Sequence, residues 1–464
     1  MEVLLINPPE RFDESNENLK KNKGYSLYPP LGLAYLASML EKNDIDVRIF
    51  DIMATNNSLA EIISLIENES PSVVGITSTT PQIRGAVQLA KTLKRTFQDE
   101  VRTALGGAHI TADPDFFNRF NYFDFAVTGE GEITFTDLII KSLKKEEVNG
   151  VFTGVQYSNL DEIPFPARHL YDQDSYYLPI YGNKFATIHT TRGCPFNCNF
   201  CSKPITGRSV RFRSPQNVVN EIEYLVNEKK IKYVLFTDDT FSINKKRVKE
   251  ICNELMKRDI RISWSCETRA NLVDESLLKI MHKAGCGEID FGIETGNEEL
   301  RLNVIKKGIS NKHIQNAFSL CKKFNIQTGA FVMLGFPSEN MESMLETLNF
   351  CKKIEPDTIG LHLTVPMPGS QIYQQAINEK KLSKNYWDDY ARGKETQQPI
   401  YVPDGFTRQE LERIQKQFYR QYYLRPRYIL GRSLFYLKNP QRAGNEIKAG
   451  LSVLLKGRTE TGRP

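Results

Sequence analysis

Three cysteines, Cys194, Cys198 and Cys201, fall within eight residues of a chain that has none before them. They sit in Thr191-Arg192-Gly193-Cys194-Pro195-Phe196-Asn197-Cys198-Asn199-Phe200-Cys201, a C-x3-C-x2-C pattern directly after the strand candidate Ala186–Thr190. In a chain without a secretory leader pattern, so tight a cluster points to a metal centre rather than to disulfides. Three thiolates suit one face of an iron–sulfur cube and leave one iron open to a non-protein ligand. A structural zinc site wants four closed ligands. His189 or a distant cysteine would have to supply the fourth, and that alternative stays open. The remaining cysteines, Cys252, Cys266, Cys286, Cys321 and Cys351, are scattered singly and read as small buried hydrophobes.

The cysteine loop stands near the start of a second strand-helix alternation. Its strand candidates are Ala186–Thr190, Tyr233–Thr237, Arg261–Cys266, Glu288–Ile293, Gly329–Leu334 and Ile359–Leu363, with helices of ten or more residues between them. Six β-α units fit a barrel or partial barrel over 185–370. Residues 1–145 carry an earlier alternation, with strand candidates Val3–Asn7, Val47–Ile52, Val73–Thr77, Arg102–Gly106 and Phe123–Val127. That pattern implies a parallel, Rossmann-like α/β sheet whose ligand lies beyond the strand carboxyl ends. Those ends are rich in small residues: Ser78-Thr79, Gly106-Gly107-Ala108-His109 and Gly129-Glu130-Gly131-Glu132. Residues 146–184, with two prolines in Pro164-Phe165-Pro166, read as a connector, and 371–464 as a helical, aromatic and basic C-terminal region. The longest apolar runs fall far short of the ~18–20 residues of a membrane span. Met1 to Pro9 lacks the basic n-region of a signal peptide, so the cytoplasm is the expected compartment.

With Phe200 in the aromatic place, the loop resembles the signature of the radical S-adenosylmethionine (SAM) superfamily. The resemblance implies a [4Fe–4S] cluster on Cys194, Cys198 and Cys201, with SAM chelated at the open iron. Reductive cleavage of SAM then yields a 5′-deoxyadenosyl radical that abstracts hydrogen from an unreactive carbon. It implies SAM-site roles for residues at successive strand ends. Asp238 and Asp239 stand in place of the family's Gly-Gly-Glu segment, toward the methionine ammonium. Arg269 faces the methionine carboxylate, Glu294 the ribose hydroxyls, and Gly335, in Met333-Leu334-Gly335-Phe336-Pro337, the adenine. Taken singly, each acid could equally be a helix cap or a loop ion pair.

The α/β domain ahead of the barrel resembles the cobalamin-binding branch of that superfamily, home of methyltransferases and anaerobic cyclases. The resemblance implies cobalamin between the two domains, near Ser78, Thr79, Gly106, Gly107, His109, Gly129 and Gly131. The D-x-H-x-x-G motif that supplies a histidine lower ligand is absent: its place reads Asn7-Pro8-Pro9-Glu10-Arg11. His109 reads better as a polar loop residue than as a cobalt ligand. The methylthiotransferase branch needs three more N-terminal cysteines, which this chain lacks.

The expected activity is cobalamin-dependent methylation of an unactivated carbon. Radical cyclisation, rearrangement or carbon–carbon coupling is the alternative, and a non-catalytic cluster or cobalamin sensor the third reading. The acids at several strand ends speak against a sensor, which has no need of them. An external one-electron reductant, flavodoxin- or ferredoxin-like, is implied. From Arg420 to Pro464 ten Lys or Arg face two acids, a net +8. The first 419 residues hold 51 basic and 54 acidic groups, a net −3. This tail suits either peripheral contact with an anionic membrane or a solvated helix. The aromatics Tyr386, Trp387, Tyr390, Tyr419, Tyr422 and Tyr423 fit either a greasy channel for a lipid-like or tetrapyrrole substrate, or core packing. His362 and the Pro-Met-Pro-Gly-Ser segment at 366–370 belong near the substrate opening on the same resemblance. No nucleic-acid module is recognisable.

Overall fold

The computed structural model describes residues 1–12, 26–203, 205–395 and 397–438. The strands β1 (Val3–Asn7), β2 (Val47–Asp51), β3 (Val73–Thr77), β4 (Arg102–Gly106), β5 (Phe125–Thr128) and β6 (Gly150–Thr153) form a wholly parallel sheet in the order β2-β1-β3-β4-β5-β6. β1 reads as a continuous apolar run because helices cover both its faces. Val3 and Leu5 pack toward the helices Leu31–Glu41 and Glu132–Leu143. Leu4 and Ile6 pack toward Ile83–Phe97. The order reverses beside β1, which makes its carboxyl end the place where such a sheet takes ligands.

The second sheet holds β7 (Phe185–Ile188), β10 (Tyr233–Phe236), β11 (Ser263–Thr268), β12 (Cys286–Glu294), β13 (Gln327–Leu334) and β14 (Thr358–Leu363). All its pairings are parallel, in the order β14-β13-β12-β11-β10-β7, so it is an open, partial barrel. Outward residues such as Val234, Cys266, Phe291 and Val332 join one large core with the surrounding helices. The alternate residues turn to the other face, which includes Glu267, Asp290, Phe331 and His362. Between β7 and β10 a two-stranded antiparallel ribbon, β8 (Thr191–Arg192) and β9 (Arg211–Phe212), brackets the cysteine loop.

β6 lies inside the segment read as a connector. Its burial alternates, with Val151 exposed, so an edge strand of this kind carries no apolar run to announce it. The rest of 154–184 is pinned rather than loose. The Tyr176 hydroxyl donates to Asp51 at 3.0 Å. Arg168 donates to the Thr187 carbonyl at 2.7 Å and to Glu221 at 2.8 Å. Glu221, on the helix Pro215–Asn227, is fully buried and also accepts from Arg213 at 2.6 Å.

Burial pushes the Glu221 pKa up, but Arg213 and Arg168 outweigh it and hold the carboxyl below its ordinary range. Its stabilising contribution is therefore complete above the unfolded value of ~4.3 and is lost as the pH falls through the lower, folded value. Glu221→Gln leaves two buried guanidinium groups short of their anion and costs about 3–5 kcal/mol. Urea unfolding at neutral pH reads that loss, and the acid limb of the variant's stability profile flattens. A variant as stable as the parent would mean that water reaches the site.

The C-terminal aromatics divide between two cores. Trp387 and Tyr390, on the helix Tyr386–Ala391, enter the core of the first sheet, and the Tyr390 hydroxyl donates to the Pro81 carbonyl at 3.1 Å. Tyr419 and Tyr423, on the helix Arg408–Tyr423, take the backbone N–H groups of Leu361 and Ile359 at 2.9 and 2.8 Å. Their hydroxyls thus cover the free edge of β14, which an open sheet otherwise leaves exposed to pairing. Tyr422 packs in the same core. The aromatic run serves packing. The part of the basic tail beyond Lys438 lies outside the described residues.

Candidate functional site: a cysteine loop facing a glycine-lined cavity

The cysteine loop leaves β8 through Gly193, at φ +90°, where a Cβ would press into the Ser209 carbonyl. Cys194 is 6 % exposed, and Cys198 and Cys201 are half-buried. Backbone and side-chain bonds fix the loop. Cys194 N–H donates to the Gly207 carbonyl at 3.2 Å, and Asn199 donates from its backbone to Ile305 at 3.0 Å and from Nδ2 to the Val304 carbonyl at 2.6 Å. Lys203 Nζ donates to the Cys194 carbonyl at 3.0 Å and also to that of Phe196.

Cations surround the sulfurs. The Arg269 guanidinium lies 3.7 Å from Cys198 Sγ and stacks 3.6 Å from the Phe196 ring centroid. Burial pushes the Cys201 thiol up to about 12. Lys203 opposes that shift, while Cys198, Asp239 and Cys194 add to it. A metal centre bound at the loop would take its cysteines as thiolates. A cube spreads its thiolates over separate irons, and the donor set fits that group.

The acids at the strand ends have different surroundings. Asp238, 2 % exposed, accepts from Thr190 N–H at 2.8 Å, from Thr191 Oγ1 at 2.7 Å and from Thr191 N–H. It is committed to holding the strand that enters the loop. Asp239 stands beside it, its pKa raised by burial and lowered by Lys203. Glu294, at φ +61°, pairs with the buried Lys307. A Cβ on Gly292 would fall 2.5 Å from both Glu294 Oε1 and Lys307 Nζ, so the glycine makes room for that pair. Gly335, at φ +86°, donates its N–H to Glu339 at 2.6 Å. Burial pushes the Glu339 carboxyl up to about 7, and its Oε1 has no partner. Burial lowers the pKa of His362, with Glu294 acting against it. The sequence offered no pattern for Lys307 or Glu339: one is defined by its ion pair, the other by its turn.

A cavity of about 240 Å³ opens between the first sheet and the stretches that flank the cysteine loop. Its walls include the apolar Leu5, Leu33, Leu36, Val127 and Phe135, and its lining includes Gly106, Gly107, Gly129 and Gly131. His189, Arg192, Ile205 and Thr206 close it from the barrel side. Ser78, Thr79 and His109 are not among the lining residues. Ser78 is fully buried with Oγ unpartnered. His109 is fully buried against Phe116, its Nδ1 3.3 Å from Thr80 Oγ1 and its Nε2 unpartnered. Burial pushes its pKa down to about 3, so the ring is neutral. Backbone-lined, apolar and next to the cysteine loop, the cavity fits a broad, largely apolar group such as part of a corrinoid.

Comparison with known proteins agrees. Residues 188–351 match the radical SAM superfamily, and residues 22–139 match the B12 binding domain. An uncharacterized methyltransferase of Pyrococcus horikoshii is 33 % identical over 447 residues, 93 % of this chain and 94 % of that protein. The anaerobic magnesium-protoporphyrin IX monomethyl ester cyclase of Rubrivivax gelatinosus is 28 % identical, over 92 % of this chain and 78 % of the cyclase. The radical SAM methyltransferase TsrM of Kitasatospora setae, solved with cobalamin and a [4Fe–4S] cluster, shares the fold. Its TM-score is 0.63 at 18 % identity, covering 81 % of this chain and 79 % of that one. The chain belongs to the radical SAM superfamily, in the branch that adds a cobalamin-binding domain and works with a [4Fe–4S] cluster, SAM and cobalamin.

Proposed function

We propose that this enzyme methylates an unactivated carbon of a small or lipid-like molecule. The observation that supports the reading is the cavity itself, glycine-lined, mostly apolar, and bordered by Arg192 of the short ribbon that leads into the cysteine loop. The bound cofactors supply radical generation and the methyl group. The chain's own residues bind and orient. Cys194, Cys198 and Cys201 hold the cluster, with Arg269 beside Cys198. Asp239, Glu294 and Gly335 are offered to SAM, and Asp238 holds the entering strand. Gly106, Gly107, Gly129 and Gly131 let the corrin approach the backbone. An external one-electron donor, flavodoxin- or ferredoxin-like, starts each turnover.

The test is anaerobic turnover with reductant, hydroxocobalamin, SAM and a panel of lipid and tetrapyrrole substrates. Methylation consumes two SAM per product, so 5′-deoxyadenosine and S-adenosylhomocysteine form in about equal amounts. The relationship to an anaerobic cyclase favours one other reading, hydrogen abstraction without methyl transfer. That reaction gives 5′-deoxyadenosine with no S-adenosylhomocysteine, and such a result would replace the proposal.

A peripheral membrane contact belongs to the same proposal. On the helix Pro426–Lys438, Ile429, Leu430, Leu434 and Leu437 are exposed along one side. No helix among the described residues is long and apolar enough to cross a membrane. An exposed apolar stripe in a segment of net +8 suits the plane of an anionic bilayer. Co-flotation with phosphatidylglycerol-containing vesicles should fall by about tenfold or more in Leu434→Glu. Equal flotation of parent and variant would remove this contact from the proposal.

A further inference from the structure

The ribbon that leads into the cysteine loop is two residues long on each side, too short to be stable alone. Its register makes matters worse. Arg192 of β8 stands directly opposite Arg211 of β9, and like charges in that relation repel. Both guanidinium groups are largely out of water, where the repulsion is least screened.

The compensating charge comes from the other sheet. Glu130, 2 % exposed, follows β5 and takes both arginines: Arg192 at 2.7 Å, and Arg211 through both terminal nitrogens, Nη1 at 3.1 Å. Glu132, also buried, takes the second arm of Arg192 at 2.5 Å. The glycines around these acids are structural. Gly129 has φ +76°, and the Cβ of a residue at Gly131 would press on Leu36 at 3.1 Å. On the barrel side, Asp238 secures the strand at Thr190 and Thr191, immediately before Arg192.

We infer that Glu130 and Glu132 are positioning residues for the iron–sulfur loop, although they belong to the corrin-binding sheet. Glu130 neutralises the facing arginines and lets the ribbon close. The ribbon, through Gly193, then sets where Cys194 begins. The cluster loop is thereby built jointly by the two sheets, and a carboxylate 64 residues upstream of the first ligand helps to shape the SAM-binding iron.

The inference rests on the cluster reading and not on corrin binding, so every measurement is made on reconstituted protein before corrin is added. Iron content, the EPR spectrum of the reduced cluster with and without SAM, and SAM affinity are compared. Glu130→Gln is expected to retain iron, alter the spectrum with SAM, and weaken SAM binding by about tenfold. Arg211→Thr removes the opposing charge, so Glu130→Gln with Arg211→Thr should regain most of that affinity. A residue that merely filled space would give no such rescue. A parental spectrum and affinity in Glu130→Gln, or a double variant no better than the single, overturns the inference. If Glu130→Gln does not fold by circular dichroism, Glu132→Gln, which loses one arm of Arg192, is read instead, and a parental spectrum there also overturns it. A parent protein that takes up no iron would refute the cluster reading itself.

Discussion

Replacing Cys198 with Ala should lower bound iron from about four atoms per chain to near none and stop reductive cleavage of SAM. The expected fall in 5′-deoxyadenosine formation is more than about a thousandfold, equivalent to over ~4 kcal/mol of transition-state stabilisation. The loop offers no substitute ligand. Cys194 and Cys201 are its other thiols, and the remaining five cysteines lie buried in the helix-packed core of the barrel. The same change takes Cys198 Sγ, 3.7 Å away, from the Arg269 guanidinium, which keeps the Lys307 carbonyl as acceptor and the Phe196 ring beneath it. Cys252→Ala is the control. That thiol is fully buried among the apolar side chains of the barrel core, away from the cysteine loop. Its loss creates a small cavity and costs stability but leaves iron and SAM cleavage at parental levels. Iron retained by Cys198→Ala, measured by ferrozine assay on the desalted protein, would mean that the cluster has another set of ligands.

Much of this arrangement was legible in the sequence, because its signals are local. The buried strands are continuous apolar runs such as Val3–Ile6, and the cysteine spacing lies within a single loop. What escaped depends on partners distant in the chain. Lys307 is a site residue only because its ammonium meets Glu294 over Gly292. Glu130 matters because Arg192 and Arg211 arrive opposite one another, more than 60 residues away. Ser78, Thr79 and His109 were placed at strand ends, where the sequence puts them, yet the cavity is lined from the neighbouring glycines instead. Strand order alone does not say which face of a sheet opens. The aromatic tail could equally have lined a channel. Its tyrosines were assigned by the unpaired N–H groups of β14, and no sequence pattern shows those groups to be unpaired.

Gly106→Leu should abolish corrin retention while leaving the cluster intact. Gly106 lines the cavity at the end of β4, and its Cβ position is open, with only the Val127 carbonyl oxygen nearby at 3.9 Å. The backbone there accepts a side chain without a left-handed φ, so the added isobutyl group projects into the space that the corrin needs. Overpacking of ~2–3 kcal/mol corresponds to about a hundredfold loss of affinity. Gly107→Ala separates this effect from strain. Gly107 has φ +99°, and its added Cβ would lie 2.6 Å from the Ser78 carbonyl oxygen, so that variant should lose stability first. The discriminating result is a Gly106→Leu protein with parental melting temperature, about four irons and no bound corrin after desalting. With SAM and reductant it should still form 5′-deoxyadenosine, because the cysteine loop is untouched, but S-adenosylhomocysteine should vanish, because the methyl group has no acceptor. About one corrin per chain retained by this variant would show that the glycine-lined cavity is not the corrin site. The methyl-transfer proposal would then lose the observation on which it rests.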